Sequence, residues 1–350
     1  MRGRVDEILY LSGQDVAEAL ALIDPLAVVR SVLLAHAGGR VVLPAEAYLH
    51  WTTPAGGRAR SLNMPGMVEG EGTSAPPVVG TKIINSGFSN PDHGIARAAG
   101  LTLLFDPQTA RPACVMEGAQ ISAVRTAAVS VISLMELGPR SPTRVAVVGA
   151  GYIAETHIRL LLAGTHGVGA VTICDIRLER AEALRRRLVD LAASVGVALD
   201  ISSEPRVAVD GAEVVILATT ASEPYLGLDV LGNARLCLNV SLDDLDAMTL
   251  LQADRLYIDD WQLIVADDHR LLGKLARQGL VTGPGVLPPQ GGRAVDGTLG
   301  QLLSGECDGR RRDSELIIIN PFGMSICDLA VAAVVHEAAQ RHGLGTRLPL

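Results

Sequence analysis

The stretch Arg144-Val-Ala-Val-Val-Gly-Ala-Gly-Tyr-Ile-Ala154 decides the fold of the middle of this chain. The apolar run before the turn is typical of a buried parallel strand. Gly149 permits a tight turn, and Gly151 lets the backbone approach a pyrophosphate. Ala154 is small enough for the following helix to pack closely on the strand. Together these features predict a strand, turn and helix that bind a dinucleotide.

An acidic residue ends the second apolar run of this region, Ala170-Val-Thr-Ile-Cys-Asp175. A carboxylate at this position accepts hydrogen bonds from both hydroxyls of an adenosine ribose and repels a 2′-phosphate, which favours NAD over NADP. Arg177 could reverse that preference by pairing with the phosphate, so NADP stays an alternative. The predicted cofactor contacts are Gly149, Ala150, Gly151, Tyr152, Ile153, Asp175, Arg177, Thr219, Thr220 and Ser241.

The composition indicates a globular enzyme of the cytoplasm. Of the 350 residues, 48% are hydrophobic and 19% are charged, which excludes a disordered chain. A net charge of −8 argues against nucleic acid as the main partner. No uninterrupted apolar run reaches the roughly 18 residues that a membrane span needs, and the N-terminus lacks a signal-peptide core. The 5 cysteines are scattered and the 8 histidines lack metal-ligand spacing, so no disulfide framework or metal site is expected.

The order of the predicted elements indicates an α/β fold in which one domain is inserted into another. Strand and helix patterns alternate strictly between residues 144 and 259, which predicts a doubly wound parallel sheet of the Rossmann type. A long helix from Ile121 to Leu137 precedes this region, and another helix ends the chain. We therefore predict a Rossmann domain of residues 139–319, inserted in a discontinuous α+β domain of residues 1–138 and 320–350.

Lys82 and Arg125 are candidate functional residues outside the dinucleotide region. Among the 30 lysine and arginine residues only Lys82 and Lys274 are lysines, and apolar residues flank Lys82 as if it projected from a strand. A leftover surface lysine is the alternative. Arg125 interrupts a helix of small and apolar residues, so its guanidinium must meet either an internal carboxylate or a ligand carboxylate. The sequence leaves these two options open.

Two arginines and two acids complete the candidate set. Arg58 and Arg60 alternate on one face of a possible strand, and simple surface exposure is the alternative for at least one of them. Asp243 and Asp244 follow a strand whose carboxyl end should open towards the nicotinamide, where loops carry the chemistry of this fold. Acids in such positions are also frequent as helix caps.

Several separated motifs resemble the ornithine cyclodeaminase/mu-crystallin family, and the resemblance covers nearly the whole chain. These motifs are Leu11-Ser-Gly-Gln-Asp-Val, Lys82-Ile-Ile-Asn85, Glu117-Gly with Ile121-Ser-Ala-Val-Arg-Thr-Ala-Ala128, Gly149-Ala-Gly151 with Glu155, and Asn320-Pro-Phe-Gly-Met-Ser-Ile-Cys-Asp328.

The resemblance implies roles for several residues. It implies a homodimer whose substrate-binding and dimerisation domain combines the N-terminal part with the last helix. Lys82 and Arg125 match the residues that hold the substrate α-carboxylate, joined by an arginine at the position of Arg58 or Arg60. Asp243 matches the acid that handles the substrate amine and activates water. Its surroundings here lack the glycines of true cyclodeaminases, which argues against ornithine cyclisation.

Within the family, the chain looks most like the branch that makes 2,3-diaminopropionate for siderophores and peptide antibiotics. The resemblance lies in Lys82-Ile-Ile-Asn-Ser, Gly94-Ile-Ala-Arg-Ala, Leu104-Phe-Asp-Pro and Asn320-Pro-Phe-Gly-Met. It implies NAD-dependent oxidative cleavage of N-(1-amino-1-carboxy-2-ethyl)-glutamate to 2,3-diaminopropionate and 2-oxoglutarate. An ornithine cyclodeaminase, a ketimine reductase or alanine-dehydrogenase-like enzyme, and a non-catalytic binding protein of the mu-crystallin type are the alternatives.

Overall fold

The structure is a computed structural model that describes residues 7–70, 76–165 and 167–350. Packing of the backbone divides the chain into two compact units. The first unit is Met1–Arg125 with Met324–Leu350, and the second is Thr126–Gly323. The boundaries predicted from the sequence, after residue 138 and before residue 320, assign the whole of the long helix to the first domain, whereas the division falls within that helix.

The helices and strands follow the predicted order, with additional short elements. In the described residues the α-helices are α1 (Gly13–Leu20), α2 (Pro25–Ala37), α3 (Ala119–Leu137), α4 (Tyr152–Gly164), α5 (Leu178–Ser194), α6 (Pro205–Val209), α7 (Ala247–Gln252), α8 (Trp261–Ala266), α9 (Leu271–Arg277), α10 (Leu299–Ser304) and α11 (Ser325–His342). The strands are β1 (Glu7–Leu11), β2 (Val41–Val42), β3 (Ala47–Thr52), β4 (Arg58–Val68), β5 (Val78–Gly87), β6 (Ala98–Phe105), β7 (Pro112–Glu117), β8 (Arg144–Val148), β9 (Ala170–Cys174), β10 (Ala198–Ser202), β11 (Val214–Leu217), β12 (Leu236–Asn239), β13 (Arg255–Ile258), β14 (Val281–Thr282), β15 (Arg293–Ala294), β16 (Gly297–Thr298), β17 (Ile317–Ile319) and β18 (Thr346–Pro349).

The first unit is built on one mixed sheet. Its strand order is β18-β1-β7-β6-β5-β4-β2, and β3 also pairs with β4. Strands β4 to β7 form an antiparallel meander, while β1 joins β7 in parallel. Helix α11 packs against β4, β5 and β6, and also against α1 and α2. The C-terminal segment therefore covers one face of a sheet whose strands come from the N-terminal part of the chain.

Capping explains where the flanking helices of this unit begin and end. Ser12 accepts a hydrogen bond from the backbone of Asp15, and the Asp15 carboxylate accepts one from the backbone of Ser12, which forms the capping box of α1. Asp24 caps α2, whose first residue is Pro25. Gly343 ends α11 with a left-handed backbone, at a φ of 68°.

The second unit contains an all-parallel sheet with the order β10-β9-β8-β11-β12-β17-β13-β16. The first five strands have the Rossmann arrangement, in which the strand order reverses between β8 and β11. Strand β17 enters between β12 and β13, although it follows both along the chain. The confirmed fold is α/β with a Rossmann sheet, and ligands of such sheets bind at the carboxyl ends of the strands beside the reversal.

Helix α3 is the one helix in the described residues that is long and apolar enough to cross a membrane by length and composition. However, 67% of its most apolar window is buried inside the protein. A mostly buried helix of this composition is typical of a protein core, which explains why it lacks a polar face.

Candidate functional site

The turn after β8 leaves no room for a side chain at Gly149. Its φ is 103°, in the region that favours glycine. A Cβ added there would lie 2.3 Å from the carbonyl oxygen of Ala218, which follows β11. The Gly149 N–H donates to the carbonyl of Cys174 at 2.7 Å. The turn is therefore fixed between the ends of β9 and β11, at the carboxyl edge of the sheet.

The beginning of α4 fits the pyrophosphate of a dinucleotide. A Cβ added at Gly151 would meet no described atom within 4 Å, so the backbone is open to an approaching ligand. No side chain of the described residues caps α4, and the N-terminus of a helix favours an anion. Ala154 is fully buried against the sheet. Tyr152 is exposed and Ile153 is half-buried at the same helix end.

Asp175 lies directly after β9 with its carboxylate held by two backbone N–H groups. Ala150 donates to Oδ2 and Arg177 donates to Oδ1, each at 3.0 Å. The carboxylate is thus oriented by the turn that should bind the pyrophosphate, which is the geometry expected of a ribose-binding acid. The Arg177 side chain is exposed nearby.

Asp244 accepts hydrogen bonds from hydroxyl groups near the carboxyl ends of β11 and β12. This fully buried carboxylate accepts hydrogen bonds from Thr219 at 2.5 Å, from Tyr225 at 2.8 Å and from Ser241. Burial, followed by the charge of Asp244, raises the pKa of Tyr225. Thr219 and Ser241 therefore lie at the carboxyl ends of the strands, where cofactor contacts are predicted, but their hydroxyls donate to Asp244. Thr220 is exposed.

Asp243 differs from Asp244 in being half-buried. Its Oδ1 accepts a hydrogen bond from the backbone N–H of Leu271, the first residue of α9, at 3.1 Å. Burial raises the pKa of Asp243 above its usual 3.8, against the opposing effects of that hydrogen bond and of Arg270. Since a proton acceptor gains from a raised pKa, this residue has the chemistry of a general base.

In the first unit Lys82 and Arg125 meet the same carboxylate, that of Asp328. The Lys82 Nζ lies 3.0 Å from Asp328 Oδ2, and the Arg125 Nε lies 3.1 Å from the same oxygen. The relative exposures of Lys82, Arg125 and Asp328 are 2%, 7% and 0%. Of the two partners predicted for Arg125, an internal or a ligand carboxylate, the structure therefore shows the internal one. Lys82 is buried, so the alternative of a surface lysine is wrong.

Burial dominates the electrostatics of Lys82. It lowers the pKa of the ammonium below 10.5, while Asp328 acts in the opposite direction. Lys82 donates to Asp328 and, at 3.4 Å, to the Ser122 hydroxyl, so two of its three N–H groups have partners in the described residues. The Oδ1 atom of Asp328 and the hydroxyl of Thr102 are buried without a hydrogen-bond partner in the described chain. Such unsatisfied polar atoms beside a lysine suit a polar ligand.

Arg58 and Arg60 both lie near the ring of Phe88. The guanidinium carbons are 5.1 Å and 5.8 Å from the ring centroid. Arg60 is half-buried and its Nη1 donates to the Tyr48 hydroxyl at 2.7 Å, whereas Arg58 is exposed. Of the two, Arg60 is the more firmly positioned.

Two further residues of these sites were not singled out by reasoning from the sequence. Asp328 is a fully buried acid, and Arg97 places its guanidinium 4.8 Å from the Phe88 ring. One signal could have found Asp328, since it is an acid within the otherwise apolar start of α11. Arg97 carries no comparable signal, because its neighbours become adjacent only through the pairing of β5 with β6.

Comparison with known proteins identifies a family and relatives that match this chain over nearly its whole length. The family model described as "Ornithine cyclodeaminase/mu-crystallin family" matches residues 7–343. A relative from Staphylococcus aureus, N-((2S)-2-amino-2-carboxyethyl)-L-glutamate dehydrogenase, is 30% identical over 98% of this chain and 99% of its own.

Solved structures of similar chains have the same fold. The crystal structure of CmnK has a TM-score of 0.88 and 35% identity and covers 98% of both chains. Delta(1)-pyrroline-2-carboxylate reductase from Thermococcus litoralis, solved with NADH and L-proline, has a TM-score of 0.83 at 21% identity, over 97% of this chain and 99% of that one. The predicted family is therefore confirmed: this chain belongs to the ornithine cyclodeaminase/mu-crystallin family.

Proposed function

We propose that this protein is an NAD-dependent oxidoreductase that cleaves N-(1-amino-1-carboxy-2-ethyl)-glutamate to 2,3-diaminopropionate and 2-oxoglutarate. The observation that carries the proposal is the 30% identity, over nearly the whole length of both chains, to the Staphylococcus aureus dehydrogenase named for such a substrate. The broader class, an NAD-dependent oxidoreductase acting on an amino acid, is also supported by relatives named alanine dehydrogenase and Delta(1)-pyrroline-2-carboxylate reductase.

The reaction breaks one C–N bond in two steps. The α-carbon of the glutamate part loses a hydride and the amine loses a proton, which leaves a C=N double bond. Water then adds to that carbon. The C–N bond of the resulting adduct breaks, a proton passes from its hydroxyl to the nitrogen, and 2-oxoglutarate and 2,3-diaminopropionate are released. NAD, held by the turn after β8 and by Asp175, would supply the acceptor of the hydride, so one NADH would form for each bond broken.

The dinucleotide-binding residues are those whose geometry fits a nucleotide. The open backbone at Gly151 and the uncapped start of α4 would hold the pyrophosphate, and Asp175 would accept the ribose hydroxyls. Thr219 and Ser241 would act less directly, because Asp244 already orients their hydroxyls.

The substrate-binding residues are Lys82 and Arg125, joined by Arg58 or Arg60. Two cations that share one internal carboxylate retain attraction for a substrate carboxylate. Fixing the carboxylate fixes the adjacent α-carbon, and such positioning contributes a large part of enzymatic rates. Asp243, with its raised pKa, would take the amine proton and later activate the water.

The assembly and the biological setting belong to the same proposal. The protein would act as a homodimer in the cytoplasm and supply 2,3-diaminopropionate to siderophore or peptide-antibiotic synthesis. A relative of this chain was solved as an alanine dehydrogenase dimer with bound NAD, which supports the first point. Light scattering of the purified protein at micromolar concentration should give twice the mass of the 36.6 kDa chain, and a monomer would contradict it.

The test is to follow NADH absorbance with each candidate substrate in turn. The glutamate adduct with NAD should give NADH and 2-oxoglutarate in equal amounts. Proline from ornithine without net NADH would instead identify a cyclodeaminase. NADH consumption with a keto acid and an amine would identify a ketimine reductase. No change of NADH absorbance with any candidate substrate, in a protein that still binds NADH, would identify a binding protein. Each of the last three results would overturn the proposal.

A further inference from the structure

Three guanidinium groups surround the ring of Phe88 in the first unit. The guanidinium carbons of Arg97, Arg58 and Arg60 lie 4.8 Å, 5.1 Å and 5.8 Å from the ring centroid. A cation gains from lying over an aromatic face, but three like charges at one ring repel each other. The cluster therefore needs a counter-charge.

The described residues provide no carboxylate in ion-pair contact with these three arginines. Arg60 donates to the hydroxyl of Tyr48, yet the Nε atoms of Arg60 and Arg97 are buried without a hydrogen-bond partner in the described part of the chain. Burial, and then the charge of Arg60, lower the pKa of Arg97 to about 10, so it stays protonated at neutral pH. By contrast, the buried Arg255 and the half-buried Arg293 of the second unit both pair with Asp296. A buried donor left unpaired is costly, which favours a missing anionic ligand.

Arg60 of this cluster shares a sheet face with Lys82. Met64 of β4 pairs directly with Lys82 of β5, and Arg60 lies four residues before Met64 on the same strand. Because side chains alternate along a strand, Arg60 and Met64 project from the same face as Lys82. Four residues of strand span about 13 Å. Long side chains reaching towards each other over this distance can hold the two ends of an extended acid.

We propose that Arg97 and Arg60, with Arg58 beside them, bind a second carboxylate of the substrate, while Lys82 and Arg125 hold the α-carboxylate without them. This reassigns Arg58 and Arg60 from the α-carboxylate role that the family resemblance implies. This inference rests on the proposed function and makes Arg97 a determinant of specificity for substrates with more than one carboxylate. The second carboxylate is either the side-chain group of the glutamate part or the carboxylate of the diaminopropionate part. Both have the same chemistry, so the test must separate them.

The experiment compares the glutamate adduct with its two amide analogues, each lacking the charge of one of these carboxylates. Arg97→Gln should lower kcat/KM for the full adduct by about 100-fold, mainly through KM, because a site built to pair with a charged group discriminates strongly when that pairing is lost. The wild type and the variant should turn over one of the two amide analogues equally. The carboxylate that this analogue lacks is the one that binds at Arg97. Arg97→Lys should recover part of the loss, since it keeps the charge without the planar fork.

The control variant is Arg341→Gln, which changes an exposed arginine of the same unit. It should leave kcat/KM unchanged for all three substrates. The inference is overturned if Arg97→Gln leaves the full adduct unaffected, or if both amides lose as much activity as the full adduct.

A binding measurement separates this inference from the proposed function. Calorimetry with propane-1,2,3-tricarboxylate as the probe requires no turnover. Arg97→Gln should weaken its binding at least about tenfold, and Arg341→Gln should not. If the wild type oxidises no adduct but this difference persists, the proposed function fails and the anion site stands. Equal affinity in all three proteins would overturn the anion site.

Discussion

Burial shifts the pKa values of Lys82 and Asp243 in opposite directions. The pKa of the lysine is lowered below 10.5 and that of the aspartate is raised above 3.8. In the proposed reaction the lysine must be protonated to hold a carboxylate, and the aspartate must be ionised to accept a proton. Both conditions are met only between the two shifted pKa values, which predicts a pH optimum between the raised pKa of Asp243 and the lowered pKa of Lys82.

The pH dependence of kcat/KM should therefore be bell-shaped. Activity should fall as the pH drops through the raised pKa of Asp243, and again as the pH rises through the lowered pKa of Lys82. Asp243→Asn should abolish the acidic limb and Lys82→Gln the alkaline limb, each at a rate about 10²–10⁴-fold lower. Initial rates of NADH formation across the pH range check this.

The other lysine of the chain supplies the control for the alkaline limb. Lys274 is exposed, and Lys274→Gln should keep that limb in place. If kcat/KM instead rises as the pH passes through the pKa of Lys82, the carboxylate-holding role is contradicted and Lys82 acts as a neutral base.

Asp175 sets the preference between NAD and NADP. Its carboxylate accepts hydrogen bonds from Ala150 and Arg177, and an asparagine can keep the first of these without the charge. Asp175→Asn should raise the ratio of kcat/KM for NADP to that for NAD by at least about tenfold, which corresponds to ~1.4 kcal/mol of lost repulsion. Steady-state kinetics with both cofactors measure it. The exposed Asp190→Asn should leave the ratio unchanged, and an unchanged ratio in Asp175→Asn would refute the assigned role.

At the scale of elements, α4 contains a histidine that the structure holds neutral. His157 donates through Nδ1 to the carbonyl of Ile153 at 2.7 Å, so its Nε2 accepts from the Ser130 hydroxyl at 2.9 Å. Burial lowers the pKa of His157 to about 4 from 6.5. Protonation would turn Nε2 from an acceptor into a donor, so the Ser130 hydroxyl would have to rotate to accept, and it would place a charge in the core.

The stability of the protein should consequently fall in mild acid. The unfolded chain takes up a proton at His157 near pH 6.5, whereas the folded chain does so only near pH 4, so the free energy of unfolding decreases between these values. This residue should contribute about 2–3 kcal/mol of the loss between pH 7 and pH 4.5. Urea unfolding of His157→Gln should show a smaller pH-dependent loss by that amount. The exposed His93→Gln should match the wild type, and an equal loss in all three proteins would contradict the prediction.

Elements with a strong local pattern could be predicted from the sequence. The capping box of α1, strands β8 and β9 and the start of α4 lie where their residues indicate. Short strands such as β17 could be recognised as apolar runs, but their place in the sheet could not. Strand β17 enters between β12 and β13 because of packing in the whole unit, and pairings of this kind leave no local signal.

At the scale of the whole molecule, the sequence predicts the dinucleotide turn better than the substrate site. The turn is a local motif, whereas Lys82 and Asp328 are 246 residues apart along the chain. Arg125 could be recognised as a buried cation, but its partner could not, because helix α11 returns from the far end of the chain to the first sheet. The arginines around Phe88 likewise become neighbours only through the register of β4, β5 and β6.

Each unit contains residues of the proposed chemistry. The first unit contains the cations that would hold the substrate, and the second contains the dinucleotide turn and Asp243. In the proposed reaction these residues direct a hydride from the α-carbon of the glutamate part to NAD.

Transfer of a deuterium label tests that claim directly. The adduct is synthesised with deuterium on the α-carbon of its glutamate part, and the NADH formed from it is analysed by mass spectrometry. We expect NADH that carries the deuterium, with unlabelled 2-oxoglutarate formed in equal amount. NADH without deuterium, or cleavage of the adduct with no NADH at all, would contradict it.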